Sequence, residues 1–300
     1  MAMNGKDIKA MIRKAIFLPL LIIAVGASSL FASADPRIIA DGNRCVDLVF
    51  QERFADAHNV ANNIIRQFPD SPAGYFFRAA IFHYQMIYLR RNSFERQLVE
   101  ACERGIQIGT QNRGKGEWND FFLAATIGVQ GNFDRVNGRL VSSLKLATRS
   151  MEIFRDMDES KVVDILYGTG VYEYWVGANA RLLWWMPNVR DNRPRALANL
   201  ERIRTEGVFT KQVVLYDLME MYLNERRNQE VIAIANEILK KYPNNSIALW
   251  ALYDAHDAMR NVEERNVVAA RISARIDLER DNADQRRFFD RKTRRNSETR

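Results

Sequence analysis

Cysteine is scarce. The chain has two, Cys45 and Cys102, too few to organise a disulfide framework. They can pair in an oxidising compartment, or sit as two small buried apolar residues, and the second reading fits a lone pair better. Histidine is nearly as rare. His58, His83 and His256 lie far apart and share no ligand spacing, so no metal site is expected. None of them stands near a cysteine or another nucleophile with an orienting acid, and no catalytic residue is assigned. Only seven prolines and fifteen glycines interrupt 300 residues, and β-branched clusters are few. Sheets are therefore disfavoured, while the abundance of Ala, Leu, Arg, Glu and Met favours helix throughout. An all-α fold is expected.

Charge of one sign is also missing from the body of the chain. The formal charge is +7, but residues 1–34 hold four Lys/Arg against Asp7, and residues 271–300 hold ten Lys/Arg against six Asp/Glu. What lies between is close to neutral, which argues against a nucleic-acid groove across the fold. Long apolar runs are equally few. The one that stands out, Ala15 to Val25, follows Lys6, Lys9, Arg13 and Lys14 and precedes Ala32-Ser33-Ala34. That order of basic, apolar and small residues is the pattern of a signal peptide over 1–34, cleaved before Asp35, which would make the mature chain periplasmic or secreted. The alternative is an uncleaved anchor in the inner membrane, although Ala15 to Phe31 falls short of the ~20 residues of a spanning helix.

What is present is a repeat. Ala57, Ala61, Ile64, Ile65 and Phe68 precede Pro69, and Val231, Ala235, Ile238, Leu239 and Tyr242 precede Pro243 at the same offsets. Such spacing places five side chains on one helical stripe, and the proline ends the helix by forcing its predecessor out of helical conformation. Asp70, Ser71 and Ser246 are then natural caps for the helices that follow. Weaker copies begin at Leu98, Ala147, Ala196 and Arg265. An apolar helix precedes each stripe, so each unit is a helix hairpin that completes its core only against its neighbours.

Intervals near 34 residues, a small residue opening the second helix and a closing proline resemble tetratricopeptide repeats. Asn228 to Asn245 is the closest single stretch. The region from Phe121 to Asn245 also resembles exported bacterial repeat proteins that are distantly similar to the eukaryotic tetratricopeptide repeat protein 39 family. That resemblance rests on Phe122-Leu123-Ala124, Tyr167-Gly168-Thr169-Gly170-Val171-Tyr172, Trp184-Trp185-Met186-Pro187 and Arg193-Pro194-Arg195-Ala196-Leu197. It implies a TPR-like α-solenoid of about six hairpins over 35–278, with the middle units elongated, followed by a basic tail over 279–300. The tail's Arg286, Arg287, Arg291, Lys292, Arg294 and Arg295, with few apolar neighbours, are expected to form a frayed helix running into disorder.

Three segments invite a chemical reading. Gly109 to Gly116 nearly spells a phosphate loop, but Gly116 stands where a hydroxyl is needed and no strand precedes it, so a plain connection is expected. Asp156, Asp158 and Glu159 lack calcium-loop spacing and are explained by capping, with Asp158 or Ser160 heading the next helix. The aromatic residues of two helices, Tyr75 to Tyr88 and Tyr167 to Trp175, are mostly core at helical spacing. A solenoid nevertheless exposes its first helices on a concave face, where aromatic and Arg side chains anchor partners. Tyr172, Trp175 and Arg181 are the candidates for that surface. Trp184 and Trp185 either plug the adjacent hairpin or dock a protein groove or membrane interface.

The function expected from sequence is a non-catalytic cell-envelope scaffold, without cofactor or metal, that binds a protein or peptide on its concave face. Two alternatives remain open: a membrane-associated subunit, held by the N-terminus, the Trp184-Trp185 segment or the basic tail, and a glycan-binding or glycan-processing protein framed by the repeats.

Overall fold

The computed structural model describes residues 34–180, 190–278 and 283–298, and every regular element among them is an α-helix. In order they are α1 (Pro36–Phe50), α2 (Phe54–Gln67), α3 (Ala73–Leu89), α4 (Glu95–Gln111), α5 (Glu117–Val136), α6 (Leu140–Arg155) and α7 (Ile165–Ala178). After the segment 181–189 come α8 (Arg193–Glu206), α9 (Thr210–Asn224), α10 (Asn228–Lys241), α11 (Ser246–Ala258), α12 (Val262–Asp277) and α13 (Ala283–Glu298). Each helix packs on the next in the chain, as a helical-repeat solenoid requires. The expected signal peptide lies outside the described residues except for Ala34.

The repeat phase can be checked position by position. Ala57, Leu98, Ala196, Val231 and Arg265 are each the fourth residue of their helices, α2, α4, α8, α10 and α12. All but Arg265 are buried, and Arg265 pairs with Asp257 instead. Ala147 is out of step. It is the eighth residue of α6, which begins one turn early at Leu140. The prolines act as expected: before Pro69 and Pro243, Phe68 and Tyr242 leave the helix with φ −131° and −127°.

The expected caps are corrected. Helix α3 has Pro72 at its N-cap position, and Ser71 accepts only the Ala73 amide, at 3.3 Å. Ser246 is the first residue of α11, and Asn245 caps it by accepting the Ala248 amide at 2.9 Å. The Ser246 amide donates instead to the Glu52 carboxylate, at 2.6 Å. That contact belongs to a set that brings the start of the succession against its end. Phe50 stacks on Tyr216 at 4.2 Å, and Tyr242 donates to Asp47 at 2.5 Å. Asn245 donates to the Phe50 carbonyl at 2.9 Å, and Arg275 pairs with Glu52. The first helices therefore touch the last ones, so that helices ring the inner face of the solenoid.

The basic tail does not fray where expected. Helix α13 docks: Phe288 meets Trp250 edge-on at 5.0 Å, Lys292 pairs with Asp254, and Gln285 donates to the Tyr88 carbonyl at 3.1 Å. Two adjacent phenylalanines supply the apolar area that a count of arginines hides. Arg90 packs over Phe288 with its guanidinium 4.3 Å from the ring centre, adding a cation–π contact.

Candidate functional site

Two of the inner helices are apolar almost all round. Helix α3 has one charged residue among seventeen, Arg78, and α7 one among fourteen, Glu173. A helix of that kind must find apolar surroundings on both faces. One face of each packs on its neighbours. The other lines an open chamber of about 640 Å³, bordered by α1, α3, α5, α6, α7 and α9. Phe76, Phe77, Ile81, Phe121, Phe154 and Phe209 are among the residues that form its wall. Gly42 lets α1 approach this wall, since a Cβ there would stand 2.4 Å from the Phe77 ring. Gly168 does the same for Phe154, at 2.3 Å.

Helix α6 contributes differently from the other even-numbered helices. Its early start and weak phase leave Leu144, Ala147 and Met151 facing the chamber, with Leu140 and Val141 at its rim. Leu140 and Val141 are 65% and 73% exposed, among the most exposed large apolar residues described. An apolar rim beside an apolar interior marks where a ligand enters or a partner docks.

One polar cluster interrupts the wall. Tyr167 donates to Asp217 at 2.7 Å. The Asn132 side-chain amide lies 3.2 Å from His83 Nε2, and the Arg135 Nε donates to Asn132 at 3.0 Å. Arg135 also pairs with Glu220 at 3.3 Å and lies over the Trp175 ring, 4.6 Å from its centre. Burial raises the Asp217 carboxyl to about 7, against the opposing hydrogen bond from Tyr167, with Glu220 adding to the rise and Arg135 resisting it. Burial, helped by Arg135, lowers His83 to about 4, so its ring is neutral and Nε2 accepts from Asn132. Burial drives the Tyr84 and Tyr167 hydroxyls well above their ordinary range.

A second buried carboxylate shapes the chamber without lining it. Asp164 accepts from the amides of Val208, Phe209 and Thr210 at 2.7–2.9 Å and from the Thr210 hydroxyl. It thereby caps α9 across the fold and holds Phe209 against Phe77, Phe122 and Trp118, ring centres 5.2–5.6 Å apart. Sequence reading missed it, because the capped amides lie more than forty residues away.

Of the residues singled out from sequence, Tyr172 and Trp175 both line the chamber. Arg181, Trp184 and Trp185 lie outside the described residues. The phosphate-loop look-alike is occupied by its own neighbours: the Gly114 amide donates to Asp120, and Lys115 donates to Asn112 at 2.7 Å. Asp158 accepts from Ser160 in a local turn rather than heading α7, while Asp156 and Glu159 pair with Arg113 and Arg202. Cys45 and Cys102 are free, buried thiols, both raised to about 12 by burial. Among the described residues no three His, Cys, Asp or Glu side chains group as a metal site. No described helix is long and apolar enough to cross a membrane. Comparison of the chain with protein-family models, with curated proteins and with solved structures finds no match.

Proposed function

We propose that this protein is a non-catalytic binding protein of the cell envelope, built from six TPR-like hairpins, that holds a small apolar molecule within its concave face. The chamber carries the reading. Its volume of about 640 Å³ falls within the ~300–1,000 Å³ of small-molecule sites. Its wall is mostly aromatic and aliphatic, with polar groups at the Arg135–Asn132–Asp217 cluster and scattered at Ser143, Ser150, Asn179 and Thr210, which suits an apolar ligand with little polar surface. A chamber of that size is too small for a folded partner, which would engage the open rim at Leu140 and Val141, so the scaffold expected from sequence becomes the second reading. The same rim favours contact with a membrane as the source of the ligand. Export by a signal peptide over 1–34 would place the protein where such ligands need carrying.

The test is a titration with N-phenyl-1-naphthylamine, whose fluorescence rises in apolar surroundings. The wild type should give saturable binding near one site per chain. Ala147→Trp, which fills the chamber from α6, should lose at least tenfold in affinity while keeping its helical circular dichroism. Absence of saturable uptake by the wild type would sink the carrier reading and leave the scaffold.

A further inference from the structure

If the chamber holds an apolar ligand, its polar cluster decides what head that ligand can carry. The cluster sets one cation beside two carboxylates. Arg135 faces Glu220 at 3.3 Å and rests on Trp175, and Asp217 is held by the Tyr167 hydroxyl at 2.7 Å. His83 is a neutral acceptor bound to Asn132. Among the described residues the cluster has no cation left over to neutralise an anionic head, and Glu220 and Asp217 stand ready to repel one. Hydrogen-bonding capacity is abundant by contrast: the amide of Asn132, the guanidinium of Arg135 and the hydroxyl of Tyr84 donate, while Asp217 does either.

The position of the cluster completes the picture. Arg135 lies at the last turn of α5, just before the exposed Leu140 and Val141, and Glu220 is solvent-exposed. Phe77, Phe121 and Phe209 form wholly apolar wall elsewhere. We propose that the chamber takes an uncharged amphiphile, with its hydroxyl or ester head at the Arg135–Asn132–Asp217 cluster and its hydrocarbon chain among the phenylalanines. This rests on the carrier reading above, and it adds a rule of selection by charge: a site whose one cation is already paired rejects an anionic head, because desolvating an unanswered charge is costly.

The experiment compares two ligands with the same eighteen-carbon chain, monoolein and oleate, as competitors of N-phenyl-1-naphthylamine at pH 7.5 and below their aggregation thresholds. Monoolein should displace the reporter at a concentration at least tenfold below oleate. Glu220→Gln, an exposed position whose loss leaves the fold intact by circular dichroism, removes one of the two carboxylates that repel oleate and should bring oleate to within threefold of monoolein. Oleate competing as well as monoolein against the wild type would overturn the proposal while the reporter's own binding still upheld the carrier. An unchanged ranking in Glu220→Gln would also overturn it, because the cluster would then not read the head. Failure of the reporter to bind at all would remove both readings together.

Discussion

The last third of the solenoid and its middle solve the same packing problem in opposite ways. From α9 to α12 the stripes recur at intervals near 34 residues, and the paired helices close on a dense core that includes Leu218, Met221, Val231, Ile238, Leu249 and Tyr253. From α5 to α7 the units lengthen, α6 slips by one turn, and the side chains that would have met a neighbour face a chamber. Regularity of sequence thus tracks completeness of packing. Where the period breaks, a chamber stands in place of core.

The contrast can be broken by truncation. Leu218→Ala, in the regular third, should destabilise by about 4 kcal/mol in chemical denaturation, because its surroundings cannot collapse onto the void. Leu144→Ala, on the chamber wall, should cost under ~1 kcal/mol, since that side chain already borders open space. Equal losses at the two sites would mean that the chamber is packed as tightly as the core.

The ring of helices is tested at its seam. Glu52 is buried, which raises its carboxyl above the usual range, and the Arg275 charge is the main influence opposing that rise. Arg275→Ala would strand the carboxylate and should cost about 3 kcal/mol, with faster hydrogen exchange in α1 and α11. Unchanged exchange in α1 would show that the first and last helices do not depend on each other. A similar loss of about 3 kcal/mol is expected for Asp164→Ala, which leaves three amides at the start of α9, two of them buried, without this acceptor.

The smallest effect sharpens the contrast at the polar cluster. Asp217 has its folded pKa raised to about 7 from 3.8, so between those values the folded protein holds a proton that the unfolded chain has released. Its contribution to stability is therefore present below pH 4 and lost as pH rises towards 7. Asp217→Asn keeps an acceptor for Tyr167 but cannot ionise beside Glu220. It should melt a few degrees higher than the wild type at pH 8, with the advantage shrinking as pH falls and gone near pH 4. Tyr84 on α3, Arg135 on α5 and Tyr167 on α7 are the titratable or charged groups that face Asp217 from other helices, and burial keeps both tyrosines protonated across this window. A pH-independent difference would remove Asp217 from the wall of the chamber.

Much of the fold was legible because its signals are local. The stripe at Val231 and its closing proline describe α10 with no reference to the rest of the chain, and Ala57 does the same for α2. Tyr172 and Trp175 line the chamber from a helix that is the first of its pair. The meeting of the two ends was not legible. The partners of Asp47, Phe50 and Glu52 lie some 165 to 225 residues downstream, and no periodicity encodes which end of a solenoid meets the other. The docking of α13 was hidden for a related reason: Phe288 and Phe289 look incidental among arginines until Trp250 is brought beside them. The chamber is harder still to foresee, because an aromatic side chain lining a void and one filling a core have the same spacing.

The most direct measurement is native mass spectrometry of the protein released from its own envelope without detergent, beside the same sample denatured. The account predicts a folded species heavier than the bare chain by one small molecule, extractable into chloroform and missing from Ala147→Trp. A folded wild type that emerges at the mass of the chain alone, and that gains no mass when offered monoolein, would contradict it.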